Sequence, residues 1–411
     1  MKRVISIVLA MVLVLSLAAC GSAKGSSAPE SIQENTSAST EKDVENSTSE
    51  DADSANDENN QAAVGQTGSA MLDAANTCRQ SDYNNNMAFD GEHIYFYSSH
   101  DLYQCGYDGS NVRKMDTALE NIVAAEGKLW GFYAEYQKPG AVYSLDPETG
   151  VMDPVSEMPY AGVIADLLLV SGNWLCYARD SGNELVVHDL TTGEEKTIFT
   201  YEFGGLLRSI DSICIYGDTL YALIQDTSKD RNCVLCSYEL GSGDDKMTQL
   251  SQTLYLGPTT STIWMDEGIF LIDWNDGCQY YYARFSDIDE DGYWNYRDNE
   301  DNKIGTDMYA SDAITGVGSW IASPYNSNFV VGNDLVDIGS NVVEYHTDFD
   351  FTARDLLVDG DSRCDGSKGC HGIYNGAVYL FLDKTSSAEA EIVKIAEGGT
   401  VEHIPVAIPE S

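Results

Sequence analysis

Residues 71–411 predict an all-β fold, a propeller of about seven four-stranded antiparallel blades, and three observations lead there. Short runs rich in Val, Ile, Leu, Tyr, Phe and Trp recur between clusters of Gly, Asp, Asn and Ser. No long stretch holds the apolar period of an amphipathic helix, so these runs read as strands. A turn glycine followed by an apolar-aromatic run also returns at intervals averaging roughly 47 to 48 residues, close to the length of one propeller blade.

Seven copies of that unit can be marked: Gly91 to Tyr97, Gly127 to Tyr133, Gly172 to Tyr177, Gly217 to Leu223, Gly268 to Asp273, Gly339 to Tyr345 and Gly376 to Leu382. A second strand ending in a polar turn follows several of them, at Leu102 to Asn111, Val142 to Gly150, Leu185 to Gly193 and Val234 to Gly241. Two strands and a turn at similar spacing suggest one four-stranded sheet per repeat. Such sheets leave both faces open unless they stack around an axis, as blades do. Closure of the ring is expected through Ser81 to Phe89 pairing with the last blade.

The run Ile94 to Tyr97, followed by Leu102 to Asn111 with its Asp108-Gly109 turn, resembles one blade of the YWTD-type propellers. It is also similar to the repeats of a bacterial lipoprotein family of the domain-of-unknown-function type. Elsewhere the likeness reduces to the Gly-x-x-apolar-Tyr core. The resemblance implies a fold and no activity, because propellers host enzymes and binding modules alike.

The N-terminus reads as an export signal. Lys2 and Arg3 precede an apolar run from Val4 to Leu17, which closes on Ala18, Ala19 and Cys20. A membrane span needs about 20 apolar residues, so this shorter run predicts a cleaved signal peptide over 1–19. Small residues followed directly by cysteine match the lipobox of bacterial lipoproteins. That resemblance implies a lipid on Cys20, a diacylglyceride with palmitate-type chains, and attachment to the outer face of the cell membrane. Residues 20–70 then form the anchor and an acidic linker rich in Ser, Asn, Ala, Glu and Asp. So little apolar surface cannot offset the entropy of ordering, and the linker is expected to be disordered and self-repelling. About 50 such residues give a reach of some 40 Å.

A formal net charge of −43 argues against nucleic acid, whose affinity is built from Lys and Arg. Divalent cations are the more natural partner. The sharpest local motif lies in an insertion near 285–303, where Asp287, Asp289 and Asp291 occupy positions 1, 3 and 5 of a loop, Gly292 position 6, Asn295 position 9 and Asp298 position 12. Ca²⁺ takes six to eight oxygens; alternating Asp points carboxylates inward, the Gly permits the bend, and the carbonyl of Tyr293 at position 7 completes the set. The preceding Tyr280 to Phe285 reads as a strand where an EF-hand has a helix. The loop therefore resembles the DxDxDG loops of dockerins and integrin-type propellers, and a structural Ca²⁺ is expected.

Beyond Cys20 there are nine cysteines, an odd number. Cys364 and Cys370 flank a short Gly-containing loop and are the expected disulfide. Cys233 and Cys236 have redox spacing but fall in a strand pattern, which favours buried thiols. The six histidines are scattered, and no nucleophile elbow, zinc-protease helix, phosphate loop or dinucleotide fingerprint is found. Two functional readings follow. One is a surface module binding a protein, peptide or glycan; the alternative is a secreted polysaccharide hydrolase or lyase on a propeller.

Overall fold

The computed structural model describes residues 72–73, 75–76, 87–202, 207–226, 232–250, 263–265, 268–273, 279–287, 303–304, 327–349, 355–364, 370–386 and 388–409. These residues form seven four-stranded sheets, each antiparallel and wound in simple sequence order. Blades 1 to 7 cover 87–114, 120–157, 165–200, 207–249, 263–304, 327–359 and 371–405.

The first strand of each blade is the innermost. Met87–Phe89 of blade 1 touches both Glu120–Ala125 of blade 2 and His371–Tyr374 of blade 7, and Ala165–Ser171 of blade 3 touches Leu207–Tyr216 of blade 4. Inner and middle strands are buried on both faces, as in Glu120–Ala125 and Ala377–Leu382. That explains their near-continuous apolar runs, because each blade packs against a neighbour on either side. The outermost strands face water along one edge and are polar: Glu194–Thr200, Thr400–Pro405 and Met152–Glu157 are largely exposed. Pro154 sits in the last of these, where a missing N–H costs no ladder bond and discourages pairing with another chain. The fold is a seven-bladed β-propeller.

The hairpin between first and second strands carries the repeat glycine in blades 1, 2, 3, 4 and 7. In blade 2 both connecting residues, Glu126 and Gly127, have positive φ (53° and 69°), the conformation of a tight hairpin turn. Blade 6 corrects the reading: Gly339 opens the turn between second and third strands (Asp334–Ile338 and Val342–His346), and the equivalent glycine is Gly332. The two turns look alike in sequence because each is a glycine and polar residues before an apolar run.

Ring closure also differs from expectation. Met87–Phe89 pairs with His93–Ser98 of its own blade, and all four strands of blade 7 come from the C-terminal part of the chain. Residues 81–86 lie outside the described residues. The two blades join by packing: Phe96 meets Phe381 with ring centroids 4.5 Å apart, inside a cluster that includes Met87, Ile94, Ile392 and Ile404. Ser98 Oγ donates to Asp383 at 2.9 Å across the same seam. At the outer rim Gly109 (φ 75°) lies against Pro405, where an added Cβ would stand 2.3 Å from the Pro405 carbonyl oxygen. Burial of large apolar side chains, worth about 1.5–3 kcal/mol each, takes the place of a shared strand.

Candidate functional site

Two faces of the ring can be distinguished. The turn face carries the hairpins joining first to second strands; the entry face is where each inner strand begins. On the turn face a cavity of about 390 Å³ opens between blades 1, 2 and 7. Its size falls within the roughly 300–1,000 Å³ of ligand pockets.

Three turns build it. In blade 1, Asp90 Oδ1 accepts the N–H groups of Glu92 (2.7 Å) and His93 (2.5 Å), and its Oδ2 accepts the Tyr95 hydroxyl at 2.8 Å. This fixes the turn and leaves the Glu92 side chain exposed at the rim. In blade 2 the Glu126-Gly127 turn supplies a second exposed carboxylate, and Glu126 Oε1 accepts the Gly172 N–H of blade 3 at 3.2 Å. The outer turn of the same blade supplies the third, Glu148, held by Asp146 Oδ1, which accepts the Glu148 and Thr149 N–H groups at 2.9 and 3.1 Å. Those bonds hold the Asp146 carboxyl below the usual carboxylate range.

The opposite wall is aromatic. Tyr374 stacks on Phe89 and on Tyr107, each at 5.6 Å between centroids. Tyr107 donates its hydroxyl to the Asp90 carbonyl. Burial pushes the Tyr95 and Tyr107 hydroxyls up, so both remain protonated donors. None of the described lining residues is Lys or Arg. Lys128, beside the turn, lies over the Trp130 ring, and Arg113 is engaged from behind the lining by the Pro147 carbonyl, to which it donates at 2.5 Å. Carboxylates at the rim with aromatic faces behind them favour an ammonium or guanidinium group.

The entry face has a different character. Tyr136, Tyr160 and Ile164 are exposed on two loops of blade 2 that meet where Met158 N donates to Gly140 O at 2.8 Å. Nearby, burial raises the Asp166 carboxyl to about 6, opposed by a 3.3 Å bond from Asn121 Nδ2. The native state therefore holds this proton more tightly than the unfolded chain does. The resulting stabilisation is complete below the unfolded value near 3.8 and is lost as pH rises through 6. Asp166→Asn, which keeps an acceptor for Asn121, is expected to raise stability by about 1 kcal/mol at pH 7.5 and to leave it unchanged at pH 3, measured by thermal melts at both.

The sequence-predicted sites fall as follows. Cys20 and the loop residues Asp289, Asp291, Tyr293, Asn295 and Asp298 lie outside the described residues. Asp287 ends a short 3-10 turn, Phe285–Asp287, directly after the strand Gln279–Arg284, so the loop does follow a strand; its side chain is also outside the described part. The expected Cys364–Cys370 disulfide is not formed. Cys364 Sγ donates to Val342 O at 3.4 Å in the core between blades 6 and 7, while Cys370 Sγ donates to Tyr97 O at 3.4 Å at the seam with blade 1. Each sulfur is held at a different interface, and burial pushes the Cys370 thiol up to about 12, which keeps it from ionising. Cys233 and Cys236 sit in the strand Asn232–Glu239, both buried, and burial pushes the Cys236 thiol up to about 12.

One polar cluster went unread in the sequence, between blades 2 and 3. Arg179 bonds Glu184 (2.6 Å) and Glu195 (3.2 Å), while Ser156 and Tyr177 share Glu195. The serine faces a carboxylate and a phenol; His188 Nδ1 stands 3.7 Å from that carboxylate on its own. This is an interblade clasp and not a nucleophile–base pair. The pocket was also missed, although its signal was present: the turns bracketing the repeat glycines are acidic, as in Asp90-Gly91-Glu92 and Glu126-Gly127.

No family model matches the chain, and no curated protein does. Solved structures match in fold. A puromycin hydrolase S511A mutant complexed with PGG is 10% identical, with a TM-score of 0.51 over 82% of this chain and 56% of that one. The tricorn protease is 10% identical (TM-score 0.48, 78% of this chain and 34% of that one). PorZ, a surface component of the type-IX secretion system of Porphyromonas gingivalis, is 17% identical (TM-score 0.46, 80% and 39%). The chain thus spans between about a third and just over half of these proteins' length, and the likeness to the puromycin hydrolase is one of fold alone.

Proposed function

We propose that the protein is a lipid-anchored surface module whose propeller binds a protein or peptide through a lysine or arginine side chain. The observation that carries this reading is the turn-face pocket, where Glu92, Glu126 and Glu148 ring an aromatic wall and no described lining residue is Lys or Arg. The export signal, the lipobox ending at Cys20 and the acidic linker support presentation on the outer face of the membrane. The calcium loop has a structural role, ordering the insertion near 285–303.

Arrays of peptides and glycans, probed with the soluble domain in calcium and in chelator, test the class of ligand. Lysine- or arginine-bearing peptides are expected to be retained at 0.15 M salt, and neutral glycans not. Preference for neutral glycans, or turnover of a polysaccharide panel, would reverse the reading in favour of a carbohydrate-acting enzyme.

A further inference from the structure

Four described residues between the linker and the first blade are buried. Leu72, Asp73, Ala75 and Asn76 are helical and 7, 7, 0 and 6% exposed, a burial unusual for residues flanking a hydrophilic linker. Two bonds show why Asn76 is held. In blade 5, Met265 stands opposite Gly268 and Trp264 opposite Ile269. Ladder bonds alternate along an antiparallel pair, so with Met265 closing the hairpin the Trp264 N–H and C=O face away from the second strand, toward the axis. Such inner-edge groups need partners. The Asn76 carboxamide supplies both: its Nδ2 donates to Trp264 O at 3.0 Å, and Trp264 N donates to its Oδ1 at 2.8 Å.

Three residues earlier, Asp73 Oδ2 accepts the Asn375 N–H at 2.7 Å, in the turn between the first two strands of blade 7. Leu72 and Ala75 join the apolar cluster that runs from blade 2 to blade 5. Blades 5 and 7 are not neighbours. Residues as close along the chain as Asp73 and Asn76, bonding to the inner turn of one and the innermost strand of the other, point to the axis.

We infer that Leu72, Asp73, Ala75 and Asn76 form an axial plug, an internal ligand of the propeller, which closes the central channel and clasps the ring from within. It supplies the fastening that a shared strand would give, and it directs any ligand to the faces and not through the axis. The inference is independent of what the turn-face pocket binds.

Hydrogen exchange read at the Trp264 and Asn375 amides of the full chain tests it. In the wild type both are expected to be protected. Asn76→Ala should speed exchange at Trp264 by roughly tenfold or more, and Asp73→Ala should do the same at Asn375, because each removes the side-chain acceptor that holds that N–H. Asp73→Asn keeps an oxygen acceptor at that position, so it should leave the Asn375 amide protected even if Asp73→Ala does not fold. Wild-type amides exchanging at the rate of open turns, or substitutions that leave both rates unchanged, would overturn the plug.

Discussion

Cys20→Ala is expected to shift the protein almost completely from the membrane fraction to the medium. The apolar run Val4 to Leu17 is shorter than a membrane span and is expected to leave with the signal, and among the described residues no helix is long and apolar enough to cross a membrane. Attachment then rests on the lipid. Each buried methylene contributes about 0.8 kcal/mol, so two acyl chains hold a protein where one gives only marginal binding. A net charge of −43 works against any residual adsorption to anionic lipid. Fractionation reads the outcome, and mass spectrometry of the mature N-terminal peptide should find the acyl chains on Cys20. A variant that stays with the membranes would contradict the anchor.

Calcium is expected to raise the melting temperature, and Asp287→Ala or Asp291→Ala to abolish that rise. Five acidic side chains fall between Asp287 and Asp298, and they repel one another until a cation joins them. Sites of extracellular modules bind at about 10⁻⁴ to 10⁻³ M. Ten to a hundred times that concentration stabilises the native state by about 1.4 to 2.7 kcal/mol, a shift of several degrees for a domain of this size. Mg²⁺ should substitute poorly, since it demands a tighter six-ligand shell and gives up water reluctantly. Differential scanning fluorimetry in calcium and in chelator measures the effect. A wild-type melting point indifferent to millimolar calcium would reduce the motif to an acidic hairpin.

The blades were legible because their physics is local. A first or second strand packed on both sides shows as an apolar run, a tight hairpin shows as glycine, and both survive in windows such as Gly127 to Tyr133. Blade 6 misled because Gly339 and Gly332 each precede an apolar run, and only pairing tells which hairpin is the inner one. Closure and the pocket depend on convergence over distances that a sequence does not display. Glu92 and Glu148 come from two turns and Tyr374 from the end of a strand, and they meet only because blade 7 returns to blade 1. Cys364 and Cys370 looked like a pair by separation alone, whereas the sheets on either side draw their sulfurs to different carbonyls. The plug was hidden for the opposite reason: Leu72, Asp73, Ala75 and Asn76 have the composition of a linker's end, and the partners of Asn76 and Asp73, Trp264 and Asn375, lie far along the chain.

The binding reading is tested most directly by titrating a single-lysine peptide into three forms of the soluble domain by calorimetry at 0.15 M salt. One is wild type, one carries Glu92→Gln with Glu148→Gln at the pocket, and one carries Glu157→Gln with Glu194→Gln on exposed outer strands. The two variants have the same net charge, which separates a site from the general attraction of a very acidic protein. Losing two rim carboxylates, at about 0.5–1 kcal/mol each, predicts roughly five- to thirtyfold weaker binding for the pocket variant and little change for the outer-strand control. Equal weakening in both, or no saturable binding by the wild type, would contradict a cation-binding pocket on the turn face.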